Sequence, residues 1–296
     1  MKPFALFVKN GRNPMVNLKP VVSPLTATLL LTAVVNSTGW AGALDSATSG
    51  QDEYDSQPIS ETTANNIYSV GLGVGAIPDY LGSQNYKAAF IPYFNAALGA
   101  NRYVRLRGTT LDANLLGDRT WLLGPVVQYR PDPFNDVKNN HVDHLNGPGS
   151  AINVGGFVGA RFDAWDLRLQ VVGDTKGNQG VLTTLGGGYN LAFNPALKLR
   201  LGLETSYGSG EYMSAYFGIN AANATRSGLK TYDADAGFRD VGLNARLTYD
   251  WTRDWTFRAD AMYMRLVGDA ADSPVASGDV GSKNQLFSAV SAIYHF

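Results

Sequence analysis

The sequence predicts an all-β fold, a closed antiparallel transmembrane β-barrel with short periplasmic turns and long extracellular loops. Three observations predict it. Apolar and polar residues alternate along many segments of about ten residues, tight turns alternate with long loops, and tryptophans lie beside the tight turns. Because successive side chains of a strand point to opposite faces, each segment has one apolar and one polar face.

The first 43 residues are expected to be an export signal that starts at Met1 or Met15. Basic residues precede a mostly apolar stretch at 21–35, and Ala41-Gly42-Ala43 is a small-residue cleavage site. A single membrane anchor is disfavoured because the apolar stretch is short. Residues 44–66 are rich in Ser, Thr, Asp and Gln and are expected to form a flexible periplasmic tail. The barrel is then expected at 67–296.

Composition excludes other classes of protein. After residue 43 no apolar run approaches the length of a membrane-spanning helix. Cleavage would remove four basic residues and leave the 25 Asp and Glu in excess, which argues against a nucleic-acid partner. With no cysteine in the chain, a hydrogen-bonded sheet must hold the exported protein together. A soluble β-sandwich also alternates, but its strands do not need the length of a membrane crossing.

The alternation predicts twelve strands. The ten long candidates are 67–77, 86–98, 121–130, 151–163, 165–175, 181–193, 196–207, 238–251, 255–267 and 285–296. Two shorter candidates, 103–108 and 111–116, lie between the second and third of these. A barrel with both ends in the periplasm needs an even number of strands, so the short pair counts as two or none. Twelve strands are favoured, and ten are the alternative.

Turns and aromatic residues set the orientation of the barrel. Tight turns at 163–165, 194–196 and 252–254 are expected in the periplasm, and long loops at 131–150, 208–235 and 269–284 outside the cell. Aromatic rings favour the membrane interface. The expected interface aromatics are Trp121, Trp165, Trp251, Trp255 and Tyr294. Phe296 ends the last strand and is expected to be the signal read by the barrel-assembly machinery, while outer-membrane lipid meets the apolar faces.

Three groups of short motifs lie around the predicted loops. The first is Asp79-Tyr80-Leu81-Gly82-Ser83 followed by Tyr86. The second comprises residues 216–218, 227–229, 232, 236–237 and 240–241, and the third comprises 266–274, 281–282 and 284–285. In combination they resemble the MipA/OmpV family of outer-membrane proteins, the MltA-interacting scaffold proteins, over about 67–296.

The resemblance implies an outer-membrane β-barrel. For the best-known member it implies a scaffold that joins a murein transglycosylase to a murein synthase. Other members are known as antigens, adhesin-like proteins or candidate permeability proteins. The family supplies no catalytic residue to transfer to this chain, and residues 45–66 have no counterpart in the resemblance.

The polar faces carry charges of both signs. The lumen-facing candidates are Arg105, Arg107, Arg168, Lys198, Arg200, Glu204, Arg246, Asp250, Arg258 and Asp260. They predict either a narrow pore with a mild anion preference or an ion-paired core that fills the lumen. A barrel of about twelve strands lies between the filled and the open sizes, and the filled lumen is favoured.

Other candidate sites are weak. His141 and His144 in a long loop lack a third placed metal ligand. The Gly71-x-Gly73-x-Gly75 run lies inside an alternating strand and lacks the spacing of a dinucleotide turn. The chain has three histidines and no Gly-x-Ser-x-Gly elbow. We therefore expect no catalytic residue, cofactor or metal. The predicted function is a non-enzymatic scaffold for murein-remodelling enzymes, with a narrow solute channel or a surface adhesin as alternatives.

Overall fold

The structure is a computed structural model that describes residues 67–296 as a closed barrel of twelve antiparallel strands. The strands are β1 (Ile67–Pro78), β2 (Tyr86–Ala97), β3 (Tyr103–Arg107), β4 (Thr110–Asn114), β5 (Trp121–Arg130), β6 (Ala151–Phe162), β7 (Trp165–Asp174), β8 (Val181–Ala192), β9 (Leu197–Gly208), β10 (Gly237–Asp250), β11 (Trp255–Leu266) and β12 (Asn284–His295). Twelve strands, rather than ten, are confirmed. The signal peptide expected at 1–43 and the tail expected at 44–66 lie outside the described residues.

Each strand pairs with its neighbours in sequence, and β1 closes the barrel by pairing with β12. Val74 lies opposite Phe90 of β2 on one side and Val290 of β12 on the other. Closure leaves no free sheet edge at the seam, which is what a sheet surrounded by lipid requires. We call the end with the short connections the turn end and the opposite end the loop end.

The sheet is inside-out compared with that of a soluble protein. Leu203, Val241 and Leu243 of neighbouring strands are between 50% and 59% exposed on the outer face. Polar side chains that alternate with them, such as Glu204 and Asn244, are buried inside. An apolar outer face is suited to acyl chains because lipid offers no hydrogen bonds to polar groups.

The β3–β4 hairpin is the irregular part of the wall. These strands have five residues each, and β3 pairs only with Tyr93–Ala97 of β2. Among the described strands, the remainder of β2 therefore has only β1 as a neighbour. The loop at 131–150 packs near this gap, where Lys138 Nζ donates a hydrogen bond of 2.5 Å to Tyr86 O. Phe134 of the same loop packs edge-on against Tyr80.

Short helices lie in the long loops. They are α1 (Asn140–Asp143), α2 (Gly210–Phe217), α3 (Ala221–Ser227), α4 (Gly268–Asp272) and a 3-10 turn at Pro274–Ala276. Ser209 caps α2 by accepting from Tyr212 N, and Asn220 caps α3 in the same way by accepting from Asn223 N. Within residues 67–296, no helix combines the length and apolar character needed to cross a membrane.

Candidate functional site

The candidate site is the lumen together with its two ends. The buried candidates predicted from the sequence are Arg105, Arg107, Arg168, Arg200, Glu204, Arg246 and Arg258. Three others, Lys198, Asp250 and Asp260, lie on the same inward faces but are partly exposed. The structure adds Asp112, Arg239 and Asp240, which the sequence analysis missed. These side chains form separate clusters.

The first cluster centres on the buried Asp112 of β4. Asp112 Oδ2 lies 2.7 Å from Arg105 Nη2 and 3.2 Å from Arg168 Nη1. Asp112 therefore links the short hairpin to β7 over the two strands between them. Arg168 also stacks on the ring of Phe157, with Cζ 3.5 Å from the ring centre. Charges buried this deeply are tolerated because they are paired and hydrogen-bonded.

The second cluster joins β7, β9 and β10. Arg200 donates from Nε and Nη2 to the two carboxylate oxygens of Asp166, at 2.9 and 2.5 Å. Its Nη1 donates to Asn244 Oδ1 at 2.9 Å, and Asn244 Nδ2 donates to Glu204 at 3.3 Å. The guanidinium lies on Gly188, where a Cβ atom would overlap it. Glycine at this position makes room for the bidentate pair, which passes over β8 to join β7 and β9.

The third cluster lies towards β1, β2, β11 and β12. Arg246 Nε donates to Asp260 Oδ1 at 2.6 Å, and Arg258 Cζ lies 5.0 Å from the ring centre of Tyr93. These residues and Arg107 line a cavity of about 40 Å³ that opens to solvent. Here the lumen is not filled by side chains.

The loop end is closed by packed aromatic residues and arginines. Arg130 lies near the stacked rings of Tyr212 and Tyr216, about 5 Å from each ring centre. Arg130 Nη1 donates to Tyr216 Oη at 3.1 Å, and Tyr216 Oη donates to Gln179 Oε1 at 2.7 Å. Arg239 Nη1 donates to Tyr212 Oη at 2.6 Å. Helix α2 is therefore held inside the barrel mouth by hydrogen bonds to three different segments.

A second contact network joins the first and last loops. Tyr80 Oη donates to the backbone oxygens of Val275 and Val280, at 3.1 and 3.2 Å. Burial raises the pKa of the Tyr80 hydroxyl far above its ordinary value, so it remains a donor. Ser273 Oγ donates to Phe217 O at 2.6 Å and ties the last loop to α2. The long loops form one cap instead of separate arms.

The turn end is more open and carries the exposed aromatic rings. Trp121, Trp165, Trp251 and Trp255 are between 38% and 59% exposed, Phe296 is 44% exposed, and Tyr294 is partly buried. Tyr294 packs edge-on against both Trp255 and Phe296. These rings lie at one level, where the strands meet the short turns.

A hydrogen-bonded chain closes the barrel seam at the turn end. His295 of β12 bonds to Ser69 Oγ through Nδ1 at 2.8 Å and to Thr256 Oγ1 through Nε2 at 2.9 Å. Thr256 Oγ1 donates to Asp250 at 2.7 Å, and Lys198 Nζ lies 3.1 Å from Asp250. Side chains thus link β9, β10, β11 and β12 to β1.

The two loop histidines serve local structure. His141 Nδ1 lies 2.7 Å from Ser227 O and joins α1 to α3, while His144 Nδ1 lies 2.5 Å from Asn140 O. In the part of the chain that the structure describes, no three His, Cys, Asp or Glu residues are grouped to hold a metal ion.

Comparisons with known proteins identify related chains. The family described as MltA-interacting protein MipA matches residues 70–296. The MltA-interacting protein of Escherichia coli (strain K12) is 26% identical over 216 residues, which are 72% of this chain and 85% of that protein. Outer membrane protein OmpV of Vibrio cholerae serotype O1 is 29% identical over 218 residues, 69% of this chain and 74% of the relative. A solved NanC porin structure aligns over 76% of this chain and 98% of its own, with 10% identity and a TM-score of 0.42.

Proposed function

The chain belongs to the MipA family of MltA-interacting proteins, and from this membership we propose that it is a scaffold for murein-remodelling enzymes. The protein is an outer-membrane β-barrel. We propose that it performs no catalysis and binds a murein transglycosylase, and through it a murein synthase, at its periplasmic face. The observation that carries the proposal is the interior of the barrel, where buried ion pairs line one wall and a packed cap covers the loop end. A barrel built in this way interacts through its surfaces.

The short turns are the proposed docking surface. They project from the turn end, and their charged residues are solvent-exposed. The exposed charges are Arg102, Asp118, Arg119, Asp163, Arg253 and Asp254. Exposed charges of both signs favour an interface in which electrostatics select the partner and the approach. The name of the Escherichia coli relative supports a transglycosylase as that partner.

The test is co-purification of the full-length barrel with a murein transglycosylase and a murein synthase. Arg119→Glu and Arg253→Glu together should weaken capture about tenfold or more, because each reverses a charge at the proposed interface. Lys230→Glu makes the same reversal on the exposed loop end and should leave capture unchanged. A wild-type barrel that captures neither enzyme would remove the scaffold proposal.

A narrow solute channel is the second candidate, favoured by the excess of arginine in the lumen and by the cavity near Arg258. Planar-bilayer recording of the inserted barrel distinguishes the two functions. The scaffold requires no conductance, whereas a channel requires discrete steps with anion preference. A stably inserted but silent barrel eliminates the channel.

Assembly is proposed to depend on Phe296. Its backbone N–H donates to Tyr68 O at 2.9 Å, so the aromatic ring is held beside the β1–β12 seam. We propose that this exposed ring is recognised by the barrel-assembly machinery. Phe296→Ala should slow the appearance of folded barrel in the outer membrane, while unassisted refolding into detergent should be little changed. Equal membrane assembly of the variant and wild type would contradict the proposal.

A further inference from the structure

We propose that the outer wall of the barrel binds the phosphate-bearing headgroup of a membrane lipid at Arg265, near the loop end of β11. The site comprises Arg265, Tyr263 and Asn284, which are exposed on the neighbouring strands β11 and β12. We call it the headgroup site. It is independent of the scaffold function, since it lies on the lipid-facing wall and not on the turns.

Arg265 is an exception in an apolar outer surface. Among the strands that the structure describes, it is the one charged residue that is exposed rather than buried or half-buried. Its neighbours on β11, Met264 and Leu266, are almost fully buried inside, so alternation places Arg265 on the outer face. A charge on this face is costly at the middle of the bilayer and nearly neutral at the interface with water. Arg265 is the penultimate residue of β11, which places it at the level of the lipid headgroups.

Aromatic rings mark the same level on the neighbouring strands. Tyr263 occupies the outward position of β11 just before Arg265 and is 43% exposed. On β9 and β10, Tyr207 and Phe238 are also exposed and pack edge-on, with their ring centres 5.6 Å apart. Aromatic side chains favour the membrane interface, so these rings place the loop-end boundary of the apolar wall beside Arg265.

The three side chains of the headgroup site are hydrogen-bonded to one another. Asn284 Oδ1 accepts from Arg265 Nη1 and from Tyr263 Oη, each at 2.8 Å. A guanidinium can only donate, so its bond fixes which end of the Asn284 amide is the oxygen. The groups that remain for a ligand are N–H donors of the guanidinium and of the amide. A surface that offers donors and a positive charge selects an anion with several acceptor oxygens.

A phosphate ester fits this arrangement better than an uncharged headgroup. Its oxygens accept from a guanidinium through paired hydrogen bonds, and its negative charge offsets that of the arginine. The next cation along the chain, Lys283, is paired with Asp272 at 3.0 Å, so this pair is formally neutral and Arg265 supplies the positive charge of the site. The loop end of an outer-membrane barrel faces the outside of the cell, so the lipid belongs to the outer leaflet.

The wall on the turn-end side of Arg265 is suited to acyl chains. Tyr263 pairs with Leu243 of β10 and with Leu286 of β12, and both leucines are more than half exposed. The next outward position of β11 is Ala261, which is also exposed. A headgroup bound at Arg265 therefore lies at the edge of a continuous apolar surface, and this combination matches the two parts of an amphiphilic lipid.

The experiment uses the folded, detergent-solubilised barrel, with EDTA to remove divalent cations, and measures bound lipid by native mass spectrometry. The probe is bis-phosphorylated lipid A, and the matched control is the same lipid after enzymatic removal of its phosphates. We expect saturable binding of the phosphorylated lipid at least about tenfold tighter than that of the control. Equal binding of the two lipids, or of neither, would overturn the proposal. Equally tight binding of inorganic phosphate alone would assign the site to a free anion and would also overturn it.

Variants test the residues of the headgroup site. Arg265→Gln should weaken binding of the phosphorylated lipid about tenfold, and Arg265→Lys should weaken it less, because lysine keeps the charge but loses the paired N–H groups. Lys283→Gln removes the cation that is paired with Asp272 and should leave binding within about twofold. Unchanged binding by Arg265→Gln would place the lipid elsewhere on the wall and overturn the assignment.

Folding and the scaffold function are checked on the same samples. Heat-modifiable gel migration verifies that each variant is folded. If Arg265→Gln is not, Asn284→Ala replaces it, because this change removes the oxygen that holds the guanidinium. Enzyme capture should be the same for wild type and Arg265→Gln, since the turns lie at the opposite end of the barrel. Failure of lipid binding would therefore leave the scaffold proposal intact, and failure of enzyme capture would leave the headgroup site intact.

Discussion

The two walls of the lumen differ in how their inward side chains fill the space. One wall, which we call the paired wall, carries the clusters around Asp112 and Asp166 and is filled by charged side chains. The other, the open wall, consists of the inward faces of β1 and β12, where glycine, alanine and serine leave a cavity. Both walls have the same apolar outer surface. The difference shows that the period-two pattern determines which side chains face outward. The size and charge pairing of the inward side chains determine whether the lumen is filled.

The consequence for stability is that the two walls should respond differently to substitution. The paired wall depends on electrostatic partners, and removal of one leaves a buried charge. The open wall depends on close backbone approach, and an added atom there must displace a neighbouring strand. Removing a charge should therefore be most damaging in the first wall, and adding volume most damaging in the second.

The largest expected effect is at Asp112. Asp112→Ala should lower the free energy of unfolding by about 3–5 kcal/mol, because the guanidinium groups of Arg105 and Arg168 lose the carboxylate between them. Urea unfolding in lipid vesicles, followed by tryptophan fluorescence, measures the change. Lys198→Ala breaks a partly exposed pair with Asp250 and should cost no more than about 1 kcal/mol. Equal losses of unfolding free energy in both variants would mean that burial of an ion pair does not change its contribution to stability.

Next in size is the pair of substitutions Gly75→Ala and Gly73→Ala in the open wall. A Cβ atom at Gly75 would lie 2.5 Å from the backbone oxygen of Ser288, which cannot move without shifting β12. At Gly73 the atom would overlap Ser291 Oγ, which can rotate away. We expect Gly75→Ala to cost about 1–3 kcal/mol in the same unfolding assay and Gly73→Ala less. The reverse order would show that the seam between β1 and β12 is more adaptable than the geometry indicates.

Most of the fold follows from the sequence because alternation and turn chemistry act locally. The prediction of twelve strands rested on counting the β3–β4 hairpin as two strands, and the structure shows both. Their pairing with only part of β2 was not predicted, because register depends on contacts between distant strands.

The residues missed in the lumen have a similar cause. Arg239 and Asp240 are adjacent, and strict alternation would place only one of them inside. The register of β9 and β10 shifts between Phe238 and Asp240, and this bulge turns both side chains inward. Asp112 lay in a short segment whose strand assignment was in doubt, so its role as partner of two arginines was not visible.

A smaller effect is expected in the cap. Tyr216→Phe removes the hydroxyl that accepts from Arg130 and donates to Gln179, which should cost about 1 kcal/mol of local stability. Limited proteolysis of intact barrels should then cut loop 209–236 faster. Tyr263→Phe removes an exposed hydroxyl that donates to Asn284 and is the matched control. If the two variants are cut at the same rate, the Tyr216 hydrogen bonds do not hold the cap in place.

The smallest effect lies outside both walls, in the turn before β5. Backbone N–H groups of Trp121 and Thr120 each donate to Asp118 Oδ1 at 2.7 Å, and these bonds hold the pKa of the Asp118 carboxyl below its ordinary value. A lowered pKa in the folded state means that the stabilisation is present above the unfolded-state pKa and is lost as pH falls through the folded value. Carbon-detected NMR of the folded barrel should give an Asp118 midpoint below the ordinary value of 3.8. The protection of the Thr120 and Trp121 amides, relative to their intrinsic exchange rates, should fall on protonation, whereas this protection in Asp118→Asn should not depend on pH. If the titration midpoint of Asp118 in the folded barrel is at or above that in an unfolded peptide of the same sequence, protonation of Asp118 does not destabilise this turn.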